Sequence, residues 1–152
     1  MLEVEEIAPD FELLDQDGTS TSLTALVAEG ELILYFYPAD FTRVCTAEAC
    51  AFRDNYDNLE SLGIQVVGIS PQDEESHSKF ASKYSIPFPL LCDEGKETIK
   101  AYGVNGPFDL GVRRATFLID QEKRVQSRVV SDLFVGNHIE LLEQTIQARA
   151  KV

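Results

Sequence analysis

The sequence predicts an α/β fold, with a central mixed β-sheet flanked by helices and extended by an N-terminal β-hairpin. Two observations support this prediction. Apolar runs rich in β-forming residues recur along the chain, and segments with helical spacing of apolar residues lie between them. Strands that alternate with helices indicate crossover connections and a sheet with helices on both faces.

Three segments have the composition of buried strands. Residues 31–37 form a mostly apolar run that ends at Pro38, which suits a strand covered on both faces. Residues 64–70 repeat this character before Pro71, and residues 115–120 supply a third strand of the same kind. Three buried strands imply a sheet that other elements cover.

Three further segments have the pattern of helices. Residues 47–62 carry apolar side chains near helical spacing and end at Gly63, which predicts a crossover helix between the first two strands. Residues 74–84 predict a second crossover helix, because acids in its first turn favour a helix N-terminus. Residues 138–150 carry an apolar stripe with polar residues between, which is typical of a helix packed on a core.

Two hairpins complete the predicted sheet. Residues 11–14 and 19–23 flank a Gly-containing turn at residues 15–18, which predicts a pair of short N-terminal strands. Residues 120–123 supply a second turn before an extended segment at residues 124–130. Together with the final helix, this order of elements fits a thioredoxin-like architecture.

The chain is expected to form one domain over residues 1–152. Its 152 residues fall within the usual size of a single domain and are enough to bury one core. No internal repeat, low-complexity tract or Ser, Gly or Pro-rich linker interrupts the pattern. Residues 103–111 are interpreted as one long loop.

Charge and composition exclude several classes of partner. The formal net charge is −13, so the field of the whole protein repels nucleic acid and anionic membranes. No apolar stretch approaches the roughly 18 to 20 residues that span a bilayer. Residues 1–10 are acidic, unlike the basic start of an export signal, so a cytoplasmic location is expected.

The number and spacing of the cysteines argue against structural disulfides and against a structural metal site. Three cysteines is an odd number, so a disulfide framework is disfavoured. Neither a CxxC motif nor a histidine pair at ligand spacing occurs, so no structural metal is expected. Reactive or buried thiols remain as interpretations.

Cys45 occupies a position that suits a reactive thiol. Residues 38–45 follow the first central strand and lead into the crossover helix, at the sheet edge where α/β proteins place their sites. If the helix starts near Thr42, Cys45 lies in its first turn, where unpaired N–H groups and the helix dipole favour a thiolate. The alternative is that Cys45 is a small buried hydrophobic residue.

The residues around Cys45 resemble a known family. Pro38, Thr42 and Cys45 fit the PxxxTxxC motif of peroxiredoxins, and the CxxxxC spacing that follows is similar to the bacterioferritin comigratory protein subgroup, also called peroxiredoxin Q. The resemblance covers nearly the whole chain. Further matching segments are residues 9–11, 45–50, 52–54 and 114–120.

This resemblance implies a thiol peroxidase that reduces hydrogen peroxide and alkyl hydroperoxides without a cofactor or metal. Cys45 is then the peroxidatic cysteine, which peroxide oxidises to a sulfenic acid. Thr42 and Arg114 are its expected partners, because a hydroxyl and a fixed cation suit a thiolate and the charge that moves along the O–O bond. Pro38 is expected to shield the sulfur, and Glu48 to orient the arginine.

The resemblance also implies that Cys50 resolves the sulfenic acid as an intramolecular disulfide with Cys45. In an intact helix their Cα atoms would be about 8 to 9 Å apart, whereas a disulfide needs less than about 7 Å. The helix must therefore unwind locally. Cys92 is expected to be a bystander. Thioredoxin or a similar dithiol protein would reduce the disulfide, and the enzyme is expected to be a monomer or weak homodimer.

Two positions leave alternatives open. Arg113 and Arg114 would point to opposite faces of a strand, so one of them reaches the site; the family pattern favours Arg114 and leaves Arg113 as a surface residue. Arg43 replaces a residue that is often proline in the subgroup. It adds a positive charge beside Cys45. This charge either further favours the Cys45 thiolate or selects among substrates.

Two other functions compete with a peroxidase. A thiol–disulfide oxidoreductase on the same fold requires CxxC at this helix start, whereas the chain has CxxxxC. A redox sensor or holdase-like binding protein would use the cysteines only as a switch. Sustained consumption of peroxide with thioredoxin separates an enzyme from a sensor.

Overall fold

The computed structural model describes residues 1–150, and all of the strands there join one mixed sheet. The strands are β1 (Glu12–Leu14), β2 (Ser20–Ser22), β3 (Glu31–Phe36), β4 (Ile64–Ser70), β5 (Leu90–Cys92), β6 (Ala115–Ile119) and β7 (Val125–Val130). The helices are α1 (Leu23–Glu29), α2 (Arg43–Asp54), α3 (Tyr56–Ser61), α4 (Glu74–Tyr84), α5 (Glu97–Ala101) and α6 (Val135–Ala150).

The sheet has the order β2-β1-β5-β4-β3-β6-β7. Strands β3, β4 and β5 are parallel neighbours, whereas β6, β7 and the β1–β2 hairpin are antiparallel additions. The parallel strands are joined through α2, α3 and α4, as crossover connections require. The predicted α/β class and mixed sheet are confirmed, with the N-terminal hairpin extending the sheet through β1 and β5.

Alternating side chains of β3 divide the core into two layers. Leu34 belongs to a cluster that α1 and α5 cover, and Tyr35 belongs to a cluster on the opposite face. Strand β3 is central because it pairs with β4 on one edge and β6 on the other, and it is buried on both faces because the two clusters cover them. The helices that cover the Tyr35 face contribute Phe52 from α2, Leu59 from α3, Phe80 from α4 and Leu142 from α6.

The predicted helix over residues 47–62 is wrong in one respect, because the structure contains two helices there. Helix α2 begins at Arg43, and Asn55 separates it from α3. The Asn55 side-chain amide donates to the Ala51 carbonyl at 2.9 Å, and its backbone N–H bonds to Phe52 rather than one full turn back. Asparagine competes for backbone partners in this way and interrupts a helix.

Short elements and one helix start depart from the sequence prediction. The structure adds α1, β5 and α5, which were not predicted. Helices of two turns or fewer establish no clear period, and β5 is a three-residue strand with no hairpin turn beside it. Helix α6 begins at Val135, three residues before the predicted start, and residues 151–152 lie outside the described part of the chain. Strand β4 and helix α4 have the predicted bounds. The long loop at residues 103–111 contains one 3₁₀ turn.

No helix within residues 1–150 is long and apolar enough to cross a lipid bilayer.

Gly68 is predicted to be required for close packing of the central strands. A Cβ added there would lie 2.9 Å from Tyr35 Cζ and 3.0 Å from Leu90 Cδ2. Gly68→Ala should therefore lower the free energy of unfolding by about 1–3 kcal/mol, because two buried side chains must move. Urea unfolding of the reduced protein measures this loss.

Gly136→Ala is the matched control, since a Cβ on that residue of α6 would meet no atom within 4 Å. Its stability should stay unchanged or rise by up to about 1 kcal/mol. Equal stability of the two variants would contradict the packing argument.

Candidate active site

The first turn of α2 holds Cys45. Thr42 is the N-cap residue with extended backbone angles, and the helix begins at Arg43. Cys45 is the third helical residue and is buried, while its neighbour Thr46 already donates a backbone hydrogen bond to the Thr42 carbonyl at 2.9 Å. The thiol therefore lies where the free N–H groups and the positive end of the helix dipole are concentrated.

Arg114 contacts the Cys45 sulfur directly. One terminal nitrogen, Nη2, donates to Sγ at 3.1 Å, and Nη1 donates to Glu48 Oε1 at 2.8 Å. Its Nε donates to the Asp132 backbone carbonyl at 3.1 Å, so all three guanidinium nitrogens are engaged. Burial acts to lower the pKa of Arg114, but the charges of Glu48 and Cys45 outweigh it and raise that pKa, which keeps the side chain cationic.

The neighbouring Arg113 lies on the surface instead. Its Nε donates to the Asp132 carboxylate at 2.8 Å, and its side chain is 41% exposed, against 4% for Arg114. Successive residues of an extended segment point to opposite sides, so one arginine faces the core and the next faces solvent. The structure brings Arg114, rather than Arg113, to Cys45.

Glu48 lies behind Arg114 and is itself 1% exposed. One of its oxygens, Oε1, accepts from Arg114, whereas the buried Oε2 has no hydrogen-bond partner. Burial raises the pKa of Glu48 to about 7, although the adjacent Arg114 acts in the opposite direction. Glu48 is thus a carboxyl group that can exchange a proton near neutral pH.

His138 on α6 is a buried member of the site that the sequence did not reveal. Its Nδ1 lies 2.7 Å from Thr116 Oγ1 and 3.5 Å from Glu48 Oε2, and its Nε2 donates to the Ser131 carbonyl at 2.9 Å. Burial lowers the pKa of His138. A lone histidine in a helix carries no local signal of this role, because only the packing of α6 against α2 brings it to Glu48.

Thr42 and Pro38 lie in the loop before α2. The Thr42 hydroxyl donates to the Ala39 carbonyl at 3.0 Å and does not cap the helix, so the lone pairs of its oxygen stay available as acceptors. Pro38 is half-buried directly after Tyr37, the first residue beyond β3. The structure therefore gives Thr42 no hydrogen bond to Cys45 among the described residues.

A second buried histidine fixes this loop. Asp40 accepts the Tyr37 hydroxyl at 2.7 Å through Oδ1, and its Oδ2 lies 2.7 Å from His77 Nδ1 on α4. Oδ2 also accepts the Ser76 hydroxyl at 2.7 Å. Because His77 Nε2 donates to the Leu91 carbonyl at 3.0 Å, the ring bridges β5 and the loop. The sequence alone gives no signal for Asp40 or His77.

All three cysteines are free thiols in this structure. Cys50 is half-buried and lies in the same continuous helix as Cys45. Cys92 ends strand β5, and burial together with nearby acids, first of all Glu94, raises the pKa of its thiol to about 12. Cys92 is therefore a poor thiolate former at neutral pH.

A largely apolar depression of about 500 Å³ adjoins the start of α2. Arg43 is exposed on its rim, and no ion pair joins it to another residue within 1–150. Leu133 and Phe134 on the opposite wall are more than two-thirds exposed, at 73% and 70%. The remaining lining residues are Val44, Ala47, Val135, Gly136 and Asn137.

The fold and the site define a class of protein in which a mixed α/β sheet presents one cysteine at a helix N-terminus beside a buried arginine. The chain belongs to the AhpC/TSA family, whose sequence pattern matches residues 4–128. It is 46% identical to the chloroplastic peroxiredoxin Q of Arabidopsis thaliana over 122 residues, which are 80% of this chain and 56% of that protein. The chain thus spans little more than half the length of the curated relatives it matches.

Solved structures agree with this assignment. Peroxidoxin BcpB from Mycobacterium tuberculosis superposes with a TM-score of 0.90 at 33% identity, covering 97% of this chain and 98% of that one. The Xanthomonas campestris bacterioferritin comigratory protein, described as having alkyl peroxide reduction activity, gives a TM-score of 0.83 at 28% identity and covers 92% of both chains. The resemblance to the peroxiredoxin Q subgroup and the thioredoxin-like fold are confirmed.

The raised pKa of Glu48 predicts a pH-dependent cost to stability. An unfolded glutamate ionises near its ordinary value of 4.5, whereas the folded one keeps its proton to about pH 7. Relative to Glu48→Gln, the parent should therefore lose stability as pH rises from about 4.5 to about 7, by roughly 1 to 3 kcal/mol. Urea unfolding of both proteins across this pH range checks the difference, and parallel stability curves would contradict it.

Proposed function

We propose that the protein is a thiol peroxidase that reduces hydrogen peroxide and organic hydroperoxides and so contributes to antioxidant defence. The observation that carries this proposal is the 3.1 Å contact between the Arg114 guanidinium and the Cys45 sulfur in the first turn of α2. A thiolate needs stabilisation by positive charge, and both the cation and the helix N-terminus supply it. Membership of the AhpC/TSA family and the named activity of the Xanthomonas campestris protein support the assignment.

In the proposed reaction the Cys45 thiolate attacks the terminal oxygen of the peroxide. The S–O bond forms as the O–O bond breaks, which yields a sulfenic acid and an alkoxide or hydroxide that takes up one proton. Negative charge moves from sulfur along the O–O bond, and N–H groups of Arg114 are fixed beside the sulfur to stabilise it. Because Thr42 Oγ1 uses its own hydrogen on Ala39, its lone pairs can accept the hydrogen of the hydroperoxide.

The depression beside α2 supports organic hydroperoxides as substrates. Val44 and Ala47 line it on the helix that carries Cys45, and Leu133 and Phe134 form the facing wall. An alkyl chain that enters this depression buries apolar surface at about 25 cal/mol per Å². Arg43 adds the only formal charge among the lining residues.

Cys50 is proposed as the resolving cysteine. Its thiolate attacks the Cys45 sulfenic acid, so that an S–S bond forms and the sulfenic oxygen leaves as water after protonation. Because α2 holds both residues in one helix, this step requires α2 to unwind locally. The high pKa of Cys92 argues against that thiol as the alternative. A thioredoxin-like dithiol protein would then reduce the exposed disulfide.

Other expectations from the sequence stay predictions. These are a cytoplasmic location, a monomeric or weakly dimeric state, a reaction that uses no cofactor or metal, and no interaction with nucleic acid or membranes. The chloroplastic location belongs to the names of the plant relatives.

A steady-state peroxidase assay with thioredoxin and its reductase tests the proposed function. The parent should consume hydrogen peroxide and an alkyl hydroperoxide catalytically, and Cys45→Ser should abolish turnover while the fold survives. Single-turnover oxidation without sustained turnover would favour a redox sensor instead. Retention of more than a few per cent of the activity in Cys45→Ser would exclude Cys45 as the nucleophile.

The two arginines provide a matched pair of variants. Arg114→Ala should slow the oxidation of Cys45 by roughly 100-fold or more, because it removes a cation and a donor at the reacting sulfur. Arg113→Ala removes only a partly exposed ion pair with Asp132 and should leave the rate near that of the parent. Stopped-flow measurement of the second-order rate constant decides between them, and a larger loss in Arg113→Ala would reverse the assignment.

Oxidation is predicted to join Cys45 to Cys50 and to unfold the start of α2. Peptide mapping after one equivalent of peroxide should find the 45–50 bridge, and amide exchange over residues 43–50 should become faster. In Cys50→Ser the first oxidation should stay fast, while thioredoxin-supported turnover drops and the sulfenic acid persists or overoxidises. Cys92→Ser is the control and should behave like the parent. A mapped bridge that contains Cys92 would refute the assignment.

A further inference from the structure

Buried contacts link Cys45 to the C-terminal helix through Arg114 and Glu48. Arg114 donates to Cys45 Sγ at 3.1 Å and to Glu48 Oε1 at 2.8 Å, and Glu48 Oε2 lies 3.5 Å from His138 Nδ1. The exposed fraction of each of these four residues is 4% or less. Bulk solvent therefore has little access to the polar atoms of this chain of contacts.

The hydrogen-bonding groups around His138 lack one proton when Glu48 is ionised and the ring is neutral. Its Nε2 must carry a hydrogen, because the Ser131 carbonyl can only accept. In a neutral ring Nδ1 is then an acceptor, which the Thr116 hydroxyl satisfies at 2.7 Å. An ionised Glu48 Oε2 consequently faces a nitrogen lone pair and is left without a donor. One proton gives Oε2 a hydrogen bond. On Oε2 it donates to Nδ1 once the Thr116 hydroxyl rotates away, and on Nδ1 it lies between Oε2 and Thr116 Oγ1, which then accepts.

Counting charges gives the same result. The Arg114 cation and the Glu48 carboxylate cancel, so a Cys45 thiolate would add an uncompensated negative charge to a buried site. Other ionisable groups do not balance it within the buried site: burial raises the pKa of Tyr35 well above its usual value, so that hydroxyl stays neutral. Arg43, the other cation close to Cys45, is exposed to solvent. Asp132 is negative and pairs with Arg113. A proton held between Glu48 and His138 would make the cluster neutral.

We propose that Glu48 and His138 together bind one proton that balances the charge of the Cys45 thiolate, which makes His138 a positioning residue for the peroxidase reaction. This inference rests on the proposed peroxidase function. Burial raises the pKa of Glu48 to about 7 and lowers that of His138, so burial favours the proton on the carboxyl group of the pair.

The proton balance of the reaction follows from this pair. Before attack, the site has two states that hold the same number of protons and interconvert. In one, Cys45 is a thiol and the Glu48–His138 pair is unprotonated; in the other, Cys45 is a thiolate and the pair is protonated. The Cys45 thiolate then reacts with the hydroperoxide while the pair is protonated. The products are the Cys45 sulfenic acid, the alcohol and the unprotonated pair. The proton on the pair is thus equivalent to the one that the leaving alkoxide needs, and no other acid is required.

The pH dependence of Cys45 oxidation by hydrogen peroxide between pH 5 and 9 tests the proposal. The parent should show a bell-shaped second-order rate constant, whose alkaline limb marks loss of the proton from the pair. Glu48→Gln keeps an acceptor for Arg114 and donates permanently to His138 Nδ1, so the alkaline limb should disappear. His138→Gln keeps a donor for Ser131 but removes the Nδ1 acceptor, so the limb should move to lower pH.

Two results would overturn the proposal. One is an alkaline limb that is absent in the parent or unchanged in Glu48→Gln. The other is an equal loss of rate at every pH in both variants, which indicates a purely structural role. Urea unfolding at pH 6 controls for folding of the variants.

Carbon-13 and nitrogen-15 NMR of the reduced parent tests the pair without peroxide or substitution. The Glu48 carboxyl carbon and the His138 ring nitrogens should report one shared titration between pH 5 and 9. A Glu48 that stays ionised throughout this range would overturn the proposal. If the shared titration is present but peroxide never oxidises Cys45, the proposed function fails while the proton-binding pair stands.

Discussion

The site depends on the contacts that the Arg114 guanidinium makes. Arg114 immediately precedes Ala115, which pairs with Phe36 at the end of β3, so the antiparallel β3–β6 ladder delivers the arginine to the loop that starts α2. Cys45 and Glu48 lie one helical turn apart on α2 and bind two different nitrogens of the same group. Helix α2 and the start of β6, which are distant in sequence, therefore meet at one planar cation whose geometry admits few other arrangements.

Two buried histidines support this arrangement from opposite sides. His77 on α4 holds the loop before α2 through Asp40, and His138 on α6 lies 3.5 Å from Glu48 Oε2. Buried polar groups of this kind are costly when a partner is missing and confer rigidity when all are satisfied. The loop network is well satisfied, whereas Glu48 Oε2 is not. The unpaired Glu48 Oε2 therefore supports the proposal that the exchangeable proton lies beside Glu48 and Arg114 rather than beside Asp40.

Helix α2 has to satisfy two opposing requirements. It must be folded to offer its N-terminus to Cys45, and the proposed bridge to Cys50 requires the same turns to unwind. The helix start is weakly secured, because the Thr42 side chain bonds to Ala39 instead of capping it. A missing cap costs a helix about 1 kcal/mol, and the Thr46 hydroxyl in the same turn is buried without a partner. Both features lower the free energy that local unfolding of α2 requires.

The sequence by itself determined the fold class, the bounds of β4 and α4, and the position of Cys45 in the first turn of a helix. These features are local, because burial patterns of period 2 or 3.6 and the residues that stop them are read directly along the chain. Helices α1 and α5 and strand β5 escaped prediction because they are too short to show a period, and no hairpin turn marks them. The interruption at Asn55 was missed because a single side-chain hydrogen bond to Ala51 creates it.

Only the tertiary structure decided which polar groups meet. The choice of Arg114 over Arg113 followed the family pattern, but the contact with Glu48 joins residues 66 positions apart and depends on strand pairing. His138 and His77 gave no signal, because a buried histidine and an exposed one look alike in a helical sequence. Their partners come from other elements that the core packs against them. Local residue patterns determine the helices and strands, whereas contacts between residues distant in sequence determine which charged groups share a buried site.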